Sequence, residues 1–292
     1  MSLRPETLAQ GYLILALGPR QYVDMAVNLA ASIKVMDPSR GICLVHDDGA
    51  SLPSEVPEVF SHTAALPRDD RYPGVMSKLR IFDVSPFRET MFVDADCLMV
   101  KRDIDRYWQN ARRNFFSITG EKKTSGNWKG VDVEMLLRQE QAPYLVQMNS
   151  GVFYFDKSPE SESFFRGLNE FYLRRKDFLG VGLHRGKPAQ TDEIYIGIYM
   201  GLNGLDGRYG ARFGSDSWMV STYRGLFIDF DPEREHSVIY KPRGHPLNPL
   251  AGWDRLSPTF AHFIGLKPRR LYQKLSAQFR LAALGARAQL AA

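Results

Sequence analysis

A short apolar run that ends in two carboxylates constrains this chain more than any other stretch: Met91-Phe92-Val93, then Asp94-Ala95-Asp96. Side chains alternate faces along a strand, so Asp94 and Asp96 point the same way, roughly 7 Å apart. Two carboxylates at the end of a buried strand are costly unless something positive sits between them. A divalent metal carrying a diphosphate is the usual partner. The pattern asks for a buried strand that opens on a polar site, and it makes the chain a candidate for metal-dependent chemistry on a nucleotide-linked substrate.

The flanking pattern is that of an α/β protein. Tyr12 to Leu17 reads as a first strand; the run is short and soon meets Arg20, so it is not read as a secretory signal. From Tyr22 to Met36, Val23, Ala26, Val27, Ala30, Ile33 and Val35 recur near helical spacing, and the pattern stops before Pro38, which a helix interior would not tolerate. Ile42 to Val45 is a second strand, closed by the turn formers Asp47-Asp48-Gly49. Strand, helix and strand in that order predict a βαβ unit and a parallel sheet.

Further on, Ser77 to Val84 predicts a short helix, and Thr90 to Val93, Phe115 to Ile118 and Val152 to Phe155 predict strands. Residues 119–146 are polar and show no clear period. Pro159 to Phe178 predicts a helix capped by Ser158, with Phe164, Phe165, Leu168, Phe171 and Tyr172 on one face. Thr191 to Met200 predicts another helix, and Leu226 to Phe230 a short strand.

With 292 residues, 44% apolar and 12% aromatic, the chain can bury a sizeable core, as one large domain or two small ones. Nothing approaches the ~20 apolar residues of a membrane span. Cys43 and Cys97 lie in apolar runs and read as buried reduced thiols, which fits a cytoplasmic compartment. The net charge of +5 is uneven: from Lys267 onward there are six basic residues and no acidic one, which leaves the body at −1. The charge does not describe a nucleic-acid-binding surface, and no nucleic-acid partner is expected. The last 25 residues read as a basic amphipathic helix with Leu271, Leu275 and Phe279 on one side. Such a helix either lies on an anionic membrane, placing the protein peripherally on the inner membrane face, or packs on the domain with its cations in solvent.

Other constellations have plain structural explanations when taken singly. His262 suits a Mn²⁺-like ion held by two carboxylates, but a lone histidine is usually a satisfied core residue. Asn149-Ser150-Gly151 is a turn by its own chemistry. Asp192-Glu193 suits the start of a helix through the helix dipole.

Taken together, these residues resemble the glycogenin-like family 8 retaining glycosyltransferases of the A-type fold. The resemblance rests on Lys78-Leu79 followed by Asp94-Ala95-Asp96, on Asn149-Ser150-Gly151-Val152, on Asp192-Glu193, and on His262-Phe263-Ile264-Gly265 with Lys267-Pro268. It spans about residues 11 to 268, and motif order and spacing carry it. Three departures stand out. Glu193 replaces a usual glutamine, the closing signature is one residue short before Lys267, and Arg269 stands where tryptophan is common.

The resemblance implies one glycosyltransferase domain over residues 1–268, with a Rossmann-like, mostly parallel sheet. Residues 11–110 would form the nucleotide-binding half and 111–268 the acceptor half. It implies transfer of a hexose from a UDP-sugar to a glycan, lipid-linked or protein hydroxyl, with retention. Asp94, Asp96 and His262 would hold Mn²⁺ or Mg²⁺. Tyr22, Lys78, Asp94, Ala95, Asp96, Gly265 and Lys267 would contact the nucleotide. Asp192, Lys78, Asn149 and Ser150 would serve catalysis, Asp192 as orienting group or as nucleophile. Two other classes stay open: a non-catalytic carbohydrate- or partner-binding protein of the same fold, and a haloacid-dehalogenase-type phosphatase, whose nucleophile also lies in an Asp-x-Asp after a strand.

Overall fold

The computed structural model describes residues 8–176, 182–184, 187–189, 191–207, 218–222, 227–243 and 252–288. Its strands, in chain order, are β1 (Leu8–Ala16), β2 (Gly41–Asp47), β3 (His62–Leu66), β4 (Phe87–Asp94), β5 (Cys97–Met99), β6 (Phe116–Lys123), β7 (Asn127–Trp128), β8 (Val131–Asp132), β9 (Leu145–Asp156), β10 (Gly182–His184), β11 (Lys187–Ala189), β12 (Met219–Ser221), β13 (Phe227–Asp231), β14 (His236–Pro242), β15 (Trp253–Leu256) and β16 (Phe260–His262). The helices are α1 (Arg20–Met36), α2 (Val56–Val59), α3 (Ile81–Val84), α4 (Asp105–Ala111), α5 (Val133–Glu140), α6 (Pro159–Arg175), α7 (Asp192–Leu202) and α8 (Arg269–Ala288).

Six strands form the main sheet in the order β3-β2-β1-β4-β9-β6. The first four run parallel, and β9 runs antiparallel to both β4 and β6. Alternation along β1 sends Tyr12 and Ile14 into one core cluster and Leu13 into the other, so both faces of the sheet are covered. The α/β, mostly parallel architecture read from the sequence is the one observed. The predicted strands and helices at 12–45 and 159–175 all form, and the Ser158 hydroxyl accepts from the Ser161 amide at the start of α6. Phe178 and Leu226, the predicted ends of two elements, lie outside the described residues.

Three expectations change. β4 ends at Asp94 and Ala95-Asp96 form a turn, so the two carboxylates do not alternate along one strand. Asn149-Ser150-Gly151 is not a turn but lies inside β9, where the pairing with β6 shifts register between Ile118 and Gly120. The segment 119–146 is structured: β6 runs on to Lys123, β7 and β8 form a hairpin, and α5 follows.

The tail forms α8, and its apolar side packs on the domain. Tyr272, Leu275 and Phe279 are buried with the α1 side of the core. Asn28 of α1 donates to the Tyr272 hydroxyl at 3.1 Å and accepts from Arg280 Nε at 2.6 Å. Arg269, Arg270 and Lys274 stay exposed on the outer side. No helix among the described residues is long and apolar enough to cross a membrane.

Candidate active site

Parallel order brings the carboxyl ends of β1, β2 and β4 to one edge, where ligands of open α/β sheets bind. A cavity of about 660 Å³ opens there. Tyr22, Lys78, Asp94, Ala95 and Asp96 line it together with Gly18, Asp47 and the segment from Pro67 to Val75. Tyr22, at the start of α1, is 39% exposed and offers its ring to that space.

Lys78 sits in a 3-10 segment, Gly74–Arg80, and its side chain is buried. Its ammonium forks onto Asp94, 2.8 Å from Oδ1 and 2.9 Å from Oδ2. It also donates to Ser150 Oγ at 3.3 Å and lies 3.5 Å from Asp192 Oδ2. Ser150 completes the triangle by donating to Asp192 Oδ2 at 2.6 Å. Burial alone would lower the Lys78 pKa, but the charges of Asp192 and Asp94 outweigh it and raise it, so the site keeps a fixed cation.

Asp192 reaches this network because α7 lies directly on β9. A methyl at Gly197 would meet the Val146 carbonyl oxygen at 2.4 Å, and one at Gly201 would meet that of Tyr144 at 1.8 Å. Two glycines four apart thus seat the helix on the strand backbone and aim its acidic first turn at Ser150. Glu193, the neighbour of Asp192, is buried and pairs with Lys129 Nζ at 3.0 Å. Lys129 sits between β7 and β8 with φ +54, flanked by Gly130 at φ +83. Sequence reasoning missed this partner; the two nearby glycines, Gly126 and Gly130, were its only signal.

The second group centres on His262. β16 pairs with β5 so that His262 stands opposite Cys97. His262 Nε2 is 3.0 Å from Asp96 Oδ1, and Phe263 N donates to the Asp96 carbonyl at 2.9 Å. Burial lowers the His262 pKa, but the Asp96 charge overrides it and the net direction is up. Asp96 moves the other way, since burial is outweighed by His262. His262 Nδ1 is buried with no hydrogen-bond partner among the described residues. A Cβ on Gly151 would meet His262 Cε1 at 3.0 Å and Met219 Sδ at 2.9 Å, a tight approach that glycine avoids.

Ligand atoms of Asp96, Cys97 and His262 all lie within 4.8 Å of one another. Asp94 stands outside that group and forks onto Lys78 instead. The structure thus brings Asp96 and His262 together but leaves Asp94 on Lys78; one carboxylate and an imidazole fit a borderline divalent ion, and the unpartnered buried nitrogen of His262 is a free donor for one. Cys97, read from sequence only as an inert buried thiol, adds a sulfur at the edge of the group. Burial pushes its pKa well up.

Other predicted residues fall beside this centre. Asn149 Oδ1 accepts from Gly151 N at 2.9 Å, and its amide nitrogen lies 3.5 Å from Ser221 Oγ. Gly265, with φ +62, and Lys267 are exposed, and neither lines the cavity. The Thr222 hydroxyl lies 3.1 Å from the His262 carbonyl and 2.5 Å from that of Lys267, which ties this segment back onto the domain.

No protein-family model matches the chain, and no curated protein matches it in sequence. Solved structures do match in fold. The galactosyltransferase LgtC, crystallised with donor and acceptor sugar analogs, aligns over 91% of this chain and 95% of its own, at 12% identity and TM-score 0.50. An active-site mutant of LgtC aligns over the same shares at 12% identity and TM-score 0.51. The bifunctional glycosyltransferase WbbM aligns over 90% of this chain and 47% of its own, at 14% identity and TM-score 0.47. The chain has the fold of the A-type glycosyltransferases.

Proposed function

We propose that this chain is a metal-dependent retaining glycosyltransferase that moves a hexose from a UDP-sugar to a hydroxyl acceptor. One observation carries the reading: Lys78, Asp94, Ser150 and Asp192 form a single buried network at the carboxyl edge of the sheet, against a cavity walled by Asp94, Ala95 and Asp96. LgtC, crystallised with donor and acceptor sugar analogs, supports it through its shared fold.

In this reading Asp94, Asp96 and His262 hold Mn²⁺ or Mg²⁺, with Cys97 beside them. When bound, the ion offsets charge on the departing diphosphate. Lys78 supplies fixed positive charge to the same leaving group at no reorganisation cost. Tyr22 stacks on the base, while Gly265 and Lys267, which lie outside the cavity lining, are diphosphate contacts on the motif resemblance alone. Asn149, Ser150 and Asp192 orient the donor sugar and the acceptor hydroxyl. The bond from the anomeric carbon to the diphosphate oxygen breaks with its electron pair on that oxygen. The acceptor oxygen bonds to the same carbon on the same face, and its proton passes to the departing phosphate. No protein nucleophile is required, and Ser150 holds Asp192 by a hydrogen bond in an orienting role.

Because Tyr272, Leu275 and Phe279 of α8 are spent on the domain, a contact with an anionic membrane would use exposed groups such as Lys267, Arg269, Arg270 and Lys274. Liposome sedimentation at low and high salt tests that contact; sedimentation unchanged by removing residues 270–292 would refute it.

The test of function is UDP release from a panel of UDP-sugars, with Mn²⁺ and with chelator, in the native chain and in Asp96→Ala. Release from one donor that needs metal and is lost in the variant supports the reading. Absence of both release and Mn²⁺-dependent UDP binding would replace it with a non-catalytic protein of the same fold.

A further inference from the structure

Outside the active site the chain carries a small antiparallel sheet, β13-β14-β15, with two unlike faces. Alternation puts Phe230, Ile239 and Leu256 on the inner face, buried in the core, and the Phe230 ring meets Phe263 edge-on at 6.5 Å. On the outer face Val238 and Pro242 are buried beside Tyr240, and the rings that reach solvent are Phe227 on one edge strand and Trp253 on the other. Phe227, Tyr240 and Arg255 stand in line across the three strands, and Trp253 lies two residues further along. Phe227 is 58% exposed and Trp253 44%, and Tyr240 lies half-buried with its ring 5.8 Å from Phe227. The other exposed large apolar residues are spread over α1, α5, α7, α8 and two loops. Scattered apolar residues need no explanation, but two exposed rings flanking a third on one face do.

The polar groups beside the rings indicate what covers them. Asp229 pairs with His236 across the sheet at 3.2 Å, and Arg255 and Asp229 are exposed. The face has no excess of positive charge, so phosphate polymers and anionic lipid find no complement there; the cationic side of the molecule is α8. A flat apolar protein surface would desolvate these charges without pairing them. A neutral sugar chain satisfies both components. The C–H faces of a pyranose carry partial positive charge and stack on the negative faces of aromatic rings. Its hydroxyls donate to carboxylates and accept from guanidinium.

We propose that the outer face of β13-β14-β15 is a binding platform for a neutral glycan, separate from the catalytic cavity. Its use as a hold on the acceptor chain rests on the glycosyltransferase reading; the binding itself does not.

The experiment is affinity electrophoresis of the full chain through gels containing neutral polysaccharides (glycogen, a β-glucan, a galactomannan) or an anionic one. Native chain is compared with Phe227→Ala, Trp253→Ala, their double variant, and Phe227→Tyr, which keeps a ring. Thermal melting checks folding, and calorimetry of Mn²⁺-dependent UDP binding reports on the catalytic cavity independently. Retardation by a neutral glycan, weakened at least tenfold in the double variant and kept in Phe227→Tyr, is the expected result. No retardation by any neutral glycan overturns the proposal, as does retardation that survives in the folded double variant or occurs only with the anionic polymer. Self-association of the native chain lost in the double variant, without glycan binding, would assign the face to a second copy instead. If UDP binding fails while retardation holds, the platform stands and the glycosyltransferase reading falls.

Discussion

Replacing Lys78 with methionine keeps the side-chain stem and removes the charge that three groups share. At an effective dielectric of about 20, the 2.8 Å contact with Asp94 has a gross attraction of roughly 6 kcal/mol, and the 3.5 Å contact with Asp192 roughly 5 kcal/mol. These are not net values, because all three groups were desolvated to make them. Removing one partner of a buried pair costs about 3–5 kcal/mol, since the remaining charge stays buried alone. Here two carboxylates lose one cation, so Lys78→Met belongs at the upper part of that range. For a domain of this size it lowers the Tm by on the order of 10 °C.

The loss has a pH signature. Burial already raises the Asp94 carboxyl in the native chain, with Lys78 opposing the rise, so removing Lys78 raises it further. A raised folded pKa means that stability is intact below the unfolded value and lost as pH rises through the folded one. The gap between native chain and variant is therefore full at pH 7.5 and narrows as both are brought toward pH 5. Urea unfolding of the metal-free proteins at both values, with unchanged m, measures it. A gap under about 1 kcal/mol at pH 7.5, or one that does not change with pH, would refute the buried network as drawn.

Three further outcomes follow from other parts of the chain. Ser158→Ala removes the oxygen that accepts from Ser161 N and costs about 1 kcal/mol in urea unfolding. Leu275→Ala opens a cavity between α8 and α1 and costs about 2–5 kcal/mol; a change within error would mean that α8 does not pack on the domain. Burial pushes the Cys43 thiol up to about 12 and raises that of Cys97, so both stay silent to a thiol reagent at pH 8 until urea exposes them.

The fold was largely legible because burial writes itself into local pattern. β1, α1, β2 and α6 each combine a clear apolar period with a stop, and each forms where the period lies. Asp94 and Asp96 were legible for a related reason: a carboxylate at the end of an apolar strand must face something polar. The tail was half-legible. An amphipathic period shows that one side of α8 must be covered but not by what, and the choice came from Asn28, which lies far away in sequence and meets Tyr272 and Arg280.

The misreadings arose where sheet pairing overrides local propensity. Asn149-Ser150-Gly151 has turn chemistry, yet long pairing of β9 with β4 and β6 on either side holds it extended. Gly151 lies in extended backbone, where its missing Cβ leaves room beside His262 and Met219. His262 shows the limit most sharply. Its strand is three residues long and carries no period of its own. The closing motif named it as a ligand, but its place comes from β16 pairing antiparallel with β5, which sets it opposite Cys97 and 3.0 Å from Asp96. The same register makes Cys97, a core thiol by composition, a neighbour of the proposed metal. A shift of β16 by one residue would turn Ala261 to the site and His262 away from it, so the register of this short pairing, more than the identity of either residue, determines whether an imidazole stands beside Asp96.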